Sequence, residues 1–149
     1  MPQRSRFYTE LPQHATKTIT FTAAGAGLNA AETAIFNVTG DVIVEYIVPF
    51  CLVDLTQAGA TPTLALGVVG NTAIFLQGTT ATAIDAGKFW LDTTPAEVGA
   101  IAVPAACKQI AITANIQCIV GGTSNIDAGS IRFDVYWRPL SSDGAVVAA

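Results

Sequence analysis

The chain has 149 residues, of which 51% are hydrophobic and only 12% charged, with a net charge of −4. That length suits one domain, and a charge so small and scattered defines neither a nucleic-acid partner nor a membrane surface. Residues 55–84 carry no charged side chain, yet Pro62 and several glycines, glutamines and threonines interrupt the run. It never supplies the roughly 20 consecutive apolar residues of a spanning helix, so a charge-poor surface of this kind points to burial in an assembly.

Residues 1–16, MPQRSRFYTELPQHAT, form a polar strip that Pro2 and Pro12 keep from being helical. They are expected to be an N-terminal arm ahead of a domain spanning 17–149. Phe7, Tyr8 and Leu11 are apolar teeth on the strip, and Arg4 and Arg6 its basic residues. Such a segment is either a frayed terminus or an arm ordered against a neighbouring subunit, with these five residues as interface candidates. It has no apolar stretch of the kind a secretory leader carries, so synthesis in a reducing cytoplasm is expected.

From Lys17 onward the dominant period is two, the signature of half-buried strands. Ile19 and Phe21 alternate with threonines over 18–22. Residues 33–39 predict a short strand, and the more continuously apolar 42–53 a long central one, bent near Pro49 because proline cannot donate to a ladder. Residues 63–69 and 73–77 predict two strands of a hairpin with Gly70-Asn71 at its tip. Within 95–106, Gly99 and Pro104 leave room for one helical turn at most. Residues 109–118 alternate almost without fault and predict one strand. Over 131–138, Ile131, Phe133, Val135 and Trp137 oppose Arg132, Asp134, Tyr136 and Arg138. With turn residues between these segments, the expected fold is all-β: a single antiparallel β-sandwich or jelly roll.

Catalytic chemistry finds no constellation. His14, the one histidine, sits in the arm, where a base lacks an orienting partner. Cys51, Cys107 and Cys118 lack metal-ligand spacing and occupy apolar strand contexts, which favour inert thiols. Asp41 and Glu45 lie four apart on a strand, about 13 Å, too far for a paired-carboxylate mechanism. No cofactor is expected. Asp85 and Asp92 flank Lys88, Phe89 and Trp90. This segment is either an aromatic ligand platform or, more simply, an aromatic pair at a subunit contact or core edge. Phe89 and Trp90 are therefore interface candidates.

The C-terminal residues Gly129-Ser130-Ile131-Arg132-Phe133, Tyr136-Trp137-Arg138-Pro139-Leu140-Ser141 and Asp143-Gly144-Ala145-Val146-Val147 resemble the ending of small β-rich virion proteins of tailed bacteriophages. Lys17-Thr18-Ile19-Thr20-Phe21-Thr22, Ile35-Phe36-Asn37-Val38-Thr39-Gly40-Asp41-Val42, Gly59-Ala60-Thr61 and Leu64-Ala65-Leu66-Gly67 agree with it, so the resemblance covers about 17–147. It implies a phage structural protein without enzymatic activity, and best a capsid cement or decoration protein. Such a protein would be a homotrimer on the capsid surface that bridges copies of the major capsid protein. A tail or head-tail connector component is the alternative within the virion. A jelly-roll carbohydrate-binding module acting through residues 85–92 is the alternative outside it.

Overall fold

In the computed structural model, residues 11–97 and 102–149 are described. They build two antiparallel sheets from eleven strands: β1 (Gln13–Thr20), β2 (Glu32–Thr39), β3 (Val42–Thr56), β4 (Thr63–Val68), β5 (Asn71–Thr80), β6 (Lys88–Phe89), β7 (Ala96–Glu97), β8 (Lys108–Ile112), β9 (Ile116–Gly121), β10 (Ala128–Pro139) and β11 (Ala145–Ala148). The first sheet runs β1-β10-β3-β6-β7, with β8 also pairing β3; the second runs β11-β2-β9-β4-β5. Among the described residues there are also two short 3-10 turns, Ala81–Ala83 and Ala105–Cys107. The expected all-β sandwich is the observed architecture.

Alternation in the sequence becomes the two sides of the first sheet. Along β10, Ile131, Phe133, Val135 and Trp137 are buried between the sheets. β3 supplies Val42, Val44, Ile47, Cys51 and Leu55 to the same core. The inward positions change phase between Val44 and Ile47 because the β3–β10 register slips between Tyr136 and Trp137. Glu45 is the extra residue of that bulge, which re-aims its side chain. From the second sheet, Ile35, Phe36, Leu64, Leu66, Phe75, Ile116 and Val120 meet this layer.

β3 does not break at Pro49. It runs on through Thr56, and Pro49 keeps its place opposite Phe133. A residue's N–H and C=O leave a strand on the same side, and the Pro49 carbonyl accepts the Trp90 N–H at 3.1 Å. The donor that proline lacks therefore belongs to the β6 side, where β3 has only short partners, and the β10 ladder is spared.

Two expectations need correction. Residues 109–118 are two strands in different sheets: β8 pairs β3, while β9 pairs β2 and β4. The chain crosses between sheets at residues 113–115 without changing which side faces inward, so the alternation passes through the crossing and conceals it. Asn115 secures the crossing, its Oδ1 accepting the Val38 N–H at 2.8 Å and its carbonyl the Val69 N–H at 3.1 Å. Second, the arm expected over 1–16 gives way to sheet at Gln13, since Gln13 to Thr16 pair with Trp137 to Asp134. Residues 1–10 lie outside the described residues, as do 98–101 within the segment expected to hold one helical turn.

The uncharged run occupies β4, β5 and their flanks. Val69 and Gly70 connect the strands, with Val68 opposite Asn71, so the tip lies one residue earlier than expected. Gly70 has φ +87° at the turn position that favours glycine.

Candidate functional site

The outward side of the first sheet concentrates the aromatic and charged side chains. Register places His14 of β1 beside Tyr136 of β10, and Tyr136 beside Tyr46 of β3. Their rings stack in a row, with centroids 4.5 Å apart at both steps and planes 26° apart. Further along, the Arg132 guanidinium lies 5.4 Å from the Phe50 ring centroid, a cation–π distance. Phe50 in turn meets Phe89 at 4.9 Å with a 57° tilt.

Asp134 ties the two groups together. Its Oδ1 accepts from His14 Nε2 at 3.0 Å and its Oδ2 from Arg132 Nε at 2.8 Å. An ionised carboxylate only accepts, so Nε2 carries the histidine proton in this arrangement. Partial burial pulls the Asp134 pKa upward, but hydrogen bonds from Arg132, His14 and Thr16 outweigh it and hold the carboxyl below its ordinary value. Arg138 pairs with Glu45 at 2.8 Å, and Lys88 with Asp85. These pairs match much of the charge on the face, while Lys108, opposite Tyr46 in the β8–β3 ladder, forms no ion pair among the described residues.

The second sheet's outward side differs in kind. Its cross-strand rows are Glu32–Ile119–Ala65, Ala34–Gln117–Gly67 and Gly121–Thr63–Thr80. Small side chains dominate, and the Glu32 carboxylate accepts from Gln117 Nε2 at 3.1 Å.

The candidates read from the sequence separate. Phe89 belongs to the first sheet's outward side. Trp90, its neighbour, is fully buried, and its Nε1 donates to the buried Thr79 Oγ1 at 2.9 Å. It is a core residue and offers no ring face to a sugar or a subunit. Leu11 precedes β1 and is 85% exposed. Arg4, Arg6, Phe7 and Tyr8 lie outside the described residues. Sequence reasoning missed Tyr46 and Phe50, whose outward direction is hidden in the long apolar run of β3. It also misplaced His14, a strand residue with Asp134 as its partner.

Among the described residues, no group of three His, Cys, Asp or Glu side chains assembles for a metal. Burial pushes Cys51 and Cys107 up to about 11 and Cys118 to about 12, which leaves each thiol protonated and unreactive near neutral pH. Carbohydrate stacking fits poorly too, because the row's ring faces cover one another. Aromatic and arginine side chains on a sheet surface are the kind of groups that anchor protein–protein contacts.

No protein-family model matches the chain, and no curated protein does. Among solved structures, it is similar to a chain of the cyanophage Pam1 capsid asymmetric unit, with 16% sequence identity and a TM-score of 0.54. The match covers 93% of this chain and 99% of the other. At that identity the likeness is one of fold, extending over nearly the whole length of both chains.

Proposed function

We propose that the protein is a structural component of a phage virion, specifically a cement or decoration protein on the capsid surface. The observation that carries this reading is the end-to-end fold likeness to a chain of a phage capsid asymmetric unit. The outward face of His14, Tyr46, Phe50, Phe89, Arg132 and Tyr136 supplies a chemically suitable docking surface. In this reading it meets the major capsid protein, and no covalent bond is made or broken. The protein acts as a homotrimer, folds in the bacterial cytoplasm and joins the shell afterwards. Repetition over the shell lets modest contacts add through multivalency.

Co-sedimentation of the purified protein with shells assembled from the major capsid protein tests the proposal. Saturable binding that stabilises the shells against heat supports it. Soluble protein left wholly in the supernatant overturns it, and density for the chain in the tail alone would move it to another station in the virion.

A further inference from the structure

On the outward side of the first sheet, β10 carries Arg132 and Arg138, six residues or about 20 Å apart. A carboxylate of the same sheet holds each through Nε: Asp134 holds Arg132 and Glu45 holds Arg138, both at 2.8 Å. Neither arginine donates a terminal N–H to a partner among the described residues. Both side chains are 44% exposed, so each guanidinium keeps its terminal fork at the surface.

Arg132 is held the more firmly. His14 Nε2 donates to Asp134 Oδ1 at 3.0 Å, which leaves Oδ2 for Arg132 Nε. The guanidinium also lies 5.4 Å from the Phe50 ring centroid, and Phe89 meets Phe50 at 4.9 Å from the next strand. A fork fixed on two sides is already aimed, so little side-chain freedom is lost when it binds. Its planar, parallel N–H groups match the two oxygens of a carboxylate. Charge points the same way. Between the Arg132 and Arg138 rows, with His14 neutral, this side carries Arg132, Arg138 and Lys108 against Asp134 and Glu45, three positive charges to two negative. The chain as a whole has a net charge of −4. Covering this side strands the Lys108 charge unless the covering surface brings an anion.

We propose that the aromatic side of the first sheet receives an acidic segment of its protein partner, with one carboxylate seated on the terminal fork of Arg132. Further acidic side chains of that segment reach Lys108, which shares the His14–Tyr136–Tyr46 row, and Arg138 beyond it. An extended segment of about six residues spans the two arginines. Asp134, His14 and Phe50 act as positioning residues for the fork. The inference rests on the reading of this side as the docking surface and adds the chemistry of what docks there.

The test uses the full chain, with hexaglutamate as the probe at low salt, where screening is weak. The peptide should shift the side-chain signals of Arg132 and Arg138 in nitrogen NMR spectra of arginine-labelled protein. Arg132→Gln should weaken peptide binding about tenfold. Arg132→Lys should weaken it nearly as much, because it keeps the charge and loses the fork. Lys17→Gln, the same loss of charge at a position paired with the buried Phe133, should leave binding unaltered. Absent shifts at Arg132, full binding by Arg132→Lys, or an equal loss in Lys17→Gln would overturn the proposal. So would tighter binding of polyphosphate, which would assign the fork to phosphate. Co-sedimentation with shells is read separately. Protein that binds hexaglutamate but no shells contradicts the capsid reading alone. Protein that sediments with shells but leaves hexaglutamate unbound contradicts the acidic partner alone.

Discussion

At the residue scale, adjacent aromatics of similar appearance have opposite fates. Phe89 joins the outward cluster, while Trp90 turns inward and bonds Thr79. Trp90→Ala should open a large cavity and leave the Thr79 hydroxyl without its indole donor. Expected destabilisation is about 3–5 kcal/mol, read from urea unfolding. Asp134 has its own signature. A carboxyl held below its ordinary value in the folded state contributes stability that is present above its unfolded pKa, about 3.9. That contribution is lost as pH falls through the lower folded value. Asp134→Asn should therefore flatten the decline of melting temperature with acid below about pH 4, leaving behaviour between pH 5 and 8 nearly parallel to the parent. These two residues also show where sequence reading stops. Alternation placed Asp134 and Arg132 on one outward face, but Trp90 follows no period, because the two-residue strand before it is too short to have one.

At the scale of elements, the turns and edges give separable tests. A methyl group at Gly70 meets nothing within 4 Å, so Gly70→Ala isolates the cost of its positive φ, about 1 kcal/mol. At Gly67 an added Cβ would sit 2.3 Å from the Asn71 carbonyl oxygen. Because that atom is backbone, Gly67→Ala should cost much more, and thermal unfolding of the pair should rank them accordingly. β1 supplies another comparison. Deleting the chain through Thr16 removes half of an edge strand paired with Trp137 to Asp134, so the melting temperature should fall. The clean alternation of β10, and of the second half of β1, was legible from sequence because each has one buried side, whereas Gln13 to Thr16 were read as arm. The division into β8 and β9 was not, since a chain that crosses between sheets with its inward side unchanged leaves the period intact. β11 escaped notice because four residues, Ala-Val-Val-Ala, carry little alternation.

At the scale of the whole molecule, the scarcity of charge has a spatial explanation. Much of the uncharged 55–84 run lies in the second sheet, whose outward rows are small side chains. The first sheet carries aromatics and ion pairs on its own outward side. One sandwich thus presents two chemically unlike faces, a division that composition alone does not reveal. If the aromatic face meets the shell, Arg132→Ala should weaken shell binding at least tenfold, or about 1.4 kcal/mol. Its melting temperature should change little, because the arginine is largely on the surface. For the proposed role, the most direct measurement is a cryo-electron microscopy map of shells assembled from the major capsid protein in the presence of this protein. Sandwich-shaped density is expected on the outer capsid surface, with the His14–Tyr136–Tyr46 face turned toward the major capsid protein. A capsid surface without that density, or one bound through the second sheet instead, would contradict it.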